Sequence, residues 1–366
     1  IRKSGLAPCS MIKENRWKIP PNAPACMEKH LDSVQYRADG SLLLSASSLM
    51  GRCWLGSIWV FKDPQLAPKE GHCSAGVQTE AGVADAKWVS ERSILVGSDS
   101  GAVELWELAE DESLIVSKFC HHHHDDIVTT VSPLAQGTQA VSGSMDCWIK
   151  VWDLAQETVV NSYNVLQCSC TLSPAHSSSV TCVSCSPSEE ALFLSCGQDG
   201  RLLLWDRRKP KPASRIVKAF FNFILFLSSA DTQCCPTSLA WHPQRSNIFA
   251  YGDDLGQVFV RELQASDSIK KMDTHTRRVT GLAFSSHRGG SRSSCLAASA
   301  LLPTVNKVLQ KYFRDRRHQD FVRGVSWAPA GSSTLTTAGW DHQVLHHSVG
   351  QEETPPTADA VAPTHP

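Results

Sequence analysis

The chain has 366 residues, with 35 Lys and Arg against 36 Asp and Glu, and 14 cysteines. A net charge of −1 leaves no basic footprint for nucleic acid. Cysteines scattered without a disulfide-like framework point to a reducing cytosolic or nuclear compartment, and the most apolar run, Ala219 to Leu227, is far shorter than the about 20 residues that a membrane-spanning helix needs.

Residues 1–30 read as a polar, extended arm carrying Pro20, Pro21 and Pro24. The arm lacks the basic start, apolar run and small-residue cleavage site of a secretory signal. From about residue 31 to 350 one pattern recurs. His124-Asp-Asp-Ile-Val128, His176-Ser-Ser-Ser-Val180, His275-Thr-Arg-Arg-Val279 and His318-Gln-Asp-Phe-Val322 share the spacing His-x-x-x-Val. His124 precedes Trp152 by 28 residues, His176 precedes Trp205 by 29, and His318 precedes His347 by 29. Trp152 and Trp205 each precede an Asp. A repeat of this period ending in Trp-Asp is that of a four-stranded propeller blade.

The Trp column falls at Phe61, Trp106, Trp152, Trp205, Arg261 and His347, with gaps of 45, 46, 53, 56 and 86 residues. The last gap hides one degenerate repeat, which begins at His275. A second column at Trp88, Cys185, Trp241, Phe284 and Trp327 supports the same count. The expected fold is therefore all-β: a seven-bladed WD-repeat β-propeller. Its sixth blade, about 275–313, should be the least regular. Runs such as Ala102–Trp106 and Ile149–Trp152 alternate with period two and read as half-buried strands. The Pro-, Thr- and Ala-rich tail, 351–366, reads as disordered.

The repeated polar residues have a structural reading. His124, His176, His275 and His318, the turn acids Asp146, Asp199 and Asp341, and the strand residues Trp106, Trp152 and Trp205 suit a buried hydrogen-bonded set in each blade. The turn acid lies six residues before the Trp column, where Ser100 and Leu255 replace it in the second and fifth blades. No phosphate loop, nucleophile elbow or paired acid and base is present, so neither catalysis nor a cofactor is expected. His121 to His124 and the pairs Cys168/Cys170 and Cys182/Cys185 are weak metal candidates; Cys182 and Cys185, three apart in a strand, should face opposite ways. No metal site is assigned.

One departure is more informative. Five repeats use eight residues from the end of a strand to the Trp column, as in Ser144 to Trp152, whereas Ser47 to Phe61 takes fourteen. The surplus forms a lengthened hairpin carrying Arg52 and Trp54. Loops carry function on rigid scaffolds, and Arg and Trp are favoured binding anchors. The alternative is that Trp54 folds back on its own blade.

Several long strings go beyond generic propeller motifs. They include Pro20–Met27, Ser74–Asp85, Ser98–Leu108 and Gly339–Val344. On these, over about residues 15 to 350, the chain resembles the methylosome WD-repeat family, partners of the arginine methyltransferase that makes symmetric dimethylarginine. The resemblance implies a non-catalytic adaptor of cytoplasm and nucleus. It would dock on the N-terminal barrel domain of the methyltransferase within a hetero-oligomer, stimulate it, and help present histone and Sm spliceosomal substrates. It also implies that Arg52 and Trp54 supply the contact. Residues 164–174, 217–233 and 288–313 depart from the family pattern. The competing class is the substrate-recognition propeller of a ubiquitin ligase, which would use a peptide pocket on the propeller face.

Overall fold

The computed structural model describes residues 20, 22–48, 54–163, 176–209, 213–215, 234–263, 270–273, 275–285, 295–299, 304–306, 311–315, 317–329 and 333–348. Arg52, Cys168, Cys170, residues 164–174 and 217–233, most of the N-terminal arm and the tail lie outside them.

The strands form seven antiparallel sheets in chain order. Blade one is β1 (His30–Tyr36), β2 (Leu42–Ser47), β3 (Gly56–Phe61) and β4 (Ala75–Thr79). Blade two is β5 (Val83–Trp88), β6 (Ser93–Ser98), β7 (Ala102–Leu108) and β8 (Ile115–His122). Blade three is β9 (Val128–Pro133), β10 (Gln139–Ser144), β11 (Ile149–Asp153) and β12 (Thr158–Tyr163). Blade four is β13 (Val180–Cys185), β14 (Leu192–Gly197), β15 (Leu202–Asp206) and β16 (Ala213–Arg215). Blade five is β17 (Pro236–Trp241), β18 (Ile248–Asp253), β19 (Gln257–Glu262) and β20 (Lys270–Asp273). Blade six is β21 (Val279–Phe284), β22 (Cys295–Ser299), β23 (Thr304–Asn306) and β24 (Lys311–Arg314). Blade seven is β25 (Val322–Trp327), β26 (Thr334–Gly339) and β27 (Val344–Ser348), three strands among the described residues.

The innermost strands β1, β5, β9, β13, β17, β21 and β25 each contact the next, and β25 contacts β1, which closes the ring. The second column of the sequence, at Trp88, Cys185, Trp241, Phe284 and Trp327, ends these inner strands.

The core lies between blades. Val141, Ile149 and Val151 of blade three pack with Val180, Val183, Phe193 and Trp205 of blade four. Leu194 and Leu202 turn to the other side and meet Leu239, Trp241 and Phe249 of blade five. Adjacent residues Phe193 and Leu194 thus enter two different cores, as the period of two along a strand requires. Ala338 and Val344 of blade seven join Leu31, Leu42 and Trp59 of blade one, so the last interface is apolar like the others. The half-buried reading of Ala102–Trp106 and Ile149–Trp152 agrees with β7 and β11, where buried and partly exposed residues both occur. β2 is instead buried at every residue, and most residues of the outer strand β8 are exposed.

The sixth sheet has four strands, but β22, β23 and β24 are five, three and four residues long. Their register shifts between Val305 and Asn306. From residue 22 the N-terminal arm is docked on blade one rather than free. Met27 is buried, its amide donates to Glu70 Oε1 at 3.1 Å, and Gln78 Nε2 donates to Glu28 Oε1 at 2.7 Å.

Candidate functional site

Three blades carry the same side-chain relay. In blade three His124 Nδ1 lies 2.8 Å from Asp146, His124 Nε2 lies 2.8 Å from Ser142 Oγ, and Trp152 Nε1 donates to Ser142 Oγ at 2.8 Å. Blade four repeats it with His176, Asp199, Ser195 and Trp205 at 3.0, 2.7 and 2.7 Å. Blade seven uses His318, Asp341 and Thr337, with His347 in place of Trp at 2.9 Å from the threonine. One assignment of protons satisfies every member: indole to hydroxyl, hydroxyl to Nε2, Nδ1–H to carboxylate. Burial alone would raise Asp146, but the bond from His124 and the Trp148 and Asp125 amides hold its carboxyl below the usual range.

A serine, histidine and aspartate in line resemble a nucleophile and its base. The chemistry is closed off here, because Ser142 and Ser195 are fully buried and each accepts an indole N–H. No substrate atom reaches them. The relay also fixes the ring: the His124 amide donates to the Gly101 carbonyl of the preceding blade at 3.3 Å, as the His275 amide does to Gly256 at 3.0 Å. Gly101 and Gly256 have φ of +84° and +86°, with the following histidine's carbonyl where a Cβ would stand.

Trp106 and Phe61 hold the same column without the relay. Trp106 Nε1 donates to Glu104 Oε2 at 2.7 Å, a partner that repeat spacing does not reveal. In blade one the register Leu42 with Phe61 matches Ala140 with Trp152. Met27, Leu44 and Phe61 there fill the places of His, Ser and Trp, and all three lie in one apolar cluster.

A second set of residues was not singled out from the sequence. Each inner strand has a bulge after its first residue, and the bulged residue in blades three to six is a threonine. Thr129 donates across the seam to the Val180 carbonyl at 2.7 Å, Thr181 to Pro236 at 2.9 Å, Thr237 to Val279 at 2.6 Å, and Thr280 to Val322. The visible signal was a threonine following the first residue of the inner strand in blades three to six.

His121 and His123 spend their rings on Phe119 and Trp152. Cys182 and Cys185 lie on β13, their thiols pushed up by burial to about 11 and about 12, which disfavours the thiolate a metal needs. Among the described residues no group of three or more His, Cys, Asp or Glu is placed to hold a metal ion, and no helix is long and apolar enough to cross a membrane.

The lengthened hairpin differs from everything above. In blade three the pairing of the second and third strands stops at Gly143 and Ile149, and blades two, four, five and seven stop at the equivalent pair. In blade one it runs on through Ala46–Ser57 and Ser47–Gly56, and the Ser48 amide then donates to the Leu55 carbonyl at 2.8 Å. Register makes Ala46, not Ser47, the equivalent of Ser144, so the insertion is one residue longer than the sequence count. Its root is fixed. Ser47 Oγ donates to the Val83 carbonyl and accepts the Val83 amide, both at 3.0 Å. Gln78 Nε2 donates to the Gly56 carbonyl at 2.6 Å. A Cβ on Gly56 would lie 2.8 Å from the Ala81 carbonyl oxygen and the Val83 amide nitrogen. Beyond this root Trp54 is 50% exposed and Leu55 is 42% exposed.

The WD domain, G-beta repeat family matches residues 115–153 and 166–206. The first match starts at β8 and ends at β11, so a sequence repeat begins with the outer strand of the preceding blade. The chain is 50% identical over 342 residues to methylosome protein WDR77 of Xenopus laevis, covering 93% of this chain and 96% of that protein. It is 22% identical over 328 residues to protein valois of Drosophila melanogaster, covering 87% and 85%. It is 21% identical over 267 residues to protein transport protein Sec31A of Gallus gallus, but spans only 20% of that chain. Identity at half of all positions over nearly the full length of both chains, on a closed ring of WD blades, places the chain in the methylosome protein WDR77 family of WD-repeat proteins.

Proposed function

We propose that the chain is a non-catalytic adaptor of the methylosome. It binds the N-terminal barrel domain of the methyltransferase that forms symmetric dimethylarginine, raises its activity, and helps present histone and Sm protein substrates in cytoplasm and nucleus. The observation that carries this reading is Trp54, half exposed on a hairpin whose root is fixed against blade two. An exposed indole next to a fixed strand root suits a pocket on another protein, because less conformational freedom is lost on docking. Arg52, two positions before Trp54 in the sequence, would supply a planar cation for a carboxylate or carbonyl. The buried relays argue for a scaffold and offer no reactive group.

The test measures affinity for the methyltransferase and melting temperature on the same preparations. Trp54→Ala should weaken binding at least about tenfold, or about 1.4 kcal/mol, with the melting temperature unchanged. Unchanged affinity would remove the hairpin from the interface. Capture from cells of a ubiquitin-ligase subunit in place of the methyltransferase would move the chain to the competing class. Purified chain should transfer no methyl groups alone, and should raise the methyltransferase rate on a histone or Sm substrate.

A further inference from the structure

The innermost strands enclose a cavity of about 150 Å³ at the centre of the ring. Five charged side chains line it: Asp32, Asp85, Lys87, Arg278 and Arg323. Two of the cations are matched. Lys87 Nζ lies 3.1 Å from Asp85, and Arg323 Nε lies 3.9 Å from Asp32. Both acids are further engaged, Asp32 by the Trp340 indole at 3.0 Å and Asp85 by the Val131 amide at 3.1 Å. Arg278 is the cation left over. It makes no hydrogen bond or ion pair with a described residue. Arg278 is an exposed residue; partial desolvation beside the ring and then the like charge of Arg323 lower its pKa, against weaker attraction from groups that include Asp254.

We propose that this cavity is a binding site for a small oxyanion, a carboxylate or phosphate group, held by Arg278 and Arg323. A charge of opposite sign beside two guanidinium groups turns their repulsion into two charge-assisted contacts. A cavity of this volume holds a guest the size of benzene, so a small oxyanion fits once water leaves. The anionic group can be free in solution or carried on an acidic side chain.

The experiment uses the full chain and titration calorimetry at constant ionic strength. Inorganic phosphate should bind saturably to the wild type. Arg278→Gln should weaken it at least tenfold, Arg278→Lys less, and Arg277→Gln, next in sequence but not lining the cavity, should leave it unchanged. A glutamate-rich hexapeptide is titrated in parallel. Arg278-dependent binding of the peptide without binding of phosphate would keep the site and assign the anion to a side chain. No saturable binding of either probe, or equal binding by wild type and Arg278→Gln, would overturn the proposal and leave the channel to water. Circular dichroism of each variant separates loss of the site from loss of the fold.

Discussion

The relay residues stabilise the ring through polar groups that cannot be removed singly. Ser142 serves His124 and Trp152 at once. Ser142→Ala leaves an imidazole nitrogen and an indole N–H unpaired in a dry interior, at about 1–3 kcal/mol for each buried group. The expected loss, about 2–5 kcal/mol by urea unfolding, should exceed that of most single substitutions. A loss below about 1 kcal/mol would show that water restores the bonds. His347 carries a different expectation. Burial holds its pKa down at about 4, with Arg317 adding to the effect and Asp315 opposing it. In the unfolded chain the value returns to about 6.5. Above that pH neither state takes a proton. Between about 6.5 and 4 the unfolded chain binds one that the folded chain refuses, so stability falls with pH by about 1.4 kcal/mol per unit. Below about 4 the term levels off. His347→Trp, the residue of the same column in blades three and four, should reduce that slope, read as the urea midpoint at pH 7 and pH 5. An unchanged slope would place the titrating group elsewhere. The relay was legible because His, Asp and Trp recur at fixed distances. Glu104 beside Trp106 and Met27 with Leu44 in blade one were not, since each replaces the repeat chemistry once and leaves no period to detect.

At the scale of the element, the hairpin shows how far counting goes. The length of the insertion was visible from spacing alone. The register was not, because Ala46 and Ser47 are equally plausible strand ends until pairing with β1 places the bulge between Leu31 and Ser33. The rigid root was also hidden, since it depends on Val83, Gln78 and Ala81 in neighbouring strands and turns. Gly56 is the residue on which that rigidity turns. A methyl group there meets the Ala81 carbonyl and the Val83 amide, which are backbone atoms and cannot step aside as a side chain can. Gly56→Ala should therefore tilt the arm while leaving Trp54 in place chemically. Affinity for the methyltransferase should drop several-fold, with less than about 1.5 kcal/mol lost from the fold, the range expected where overpacking is relieved by local movement. Wild-type affinity in this variant would mean that the arm docks flexibly and that its root does not orient it.

The whole ring is only as firm as its seams, and these differ. Where blade one meets blade two, Ser33 and Gln35 accept the Ala86 and Trp88 amides at 3.2 and 2.7 Å. Where blade three meets blade four, Thr129, Thr130 and Ser132 all bridge. Blade seven returns to blade one through Ser326 to the Tyr36 amide at 3.2 Å and Trp340 to Asp32. The sixth blade differs. The position of Ser33 and Thr130 is Ser238 on its approach side, whose hydroxyl has no hydrogen-bond partner among the described residues, and Gly281 within it, which has no side chain to offer. The threonine bonds of Thr237 and Thr280 remain. β21 is buried only at Val279, whereas β9 is buried at three positions. The sequence expectation of irregularity rested on a missing Trp-column strand; the seam bonds are set by residues 40 or more positions apart and so are invisible to local pattern. Local opening draws on the regions with fewest buried contacts and bridging bonds. Hydrogen exchange of the full chain should therefore show the amides of Val279–Phe284 exchanging well before those of Val128–Pro133 and Val180–Cys185, at the same pH and temperature. Thr280→Val, which removes a bridging hydroxyl at nearly constant shape, should widen the gap without altering exchange in blades one to three. Equal protection of all three inner strands would mean that the ring opens as one unit and that closure through blade one holds the sixth blade as firmly as its own seams.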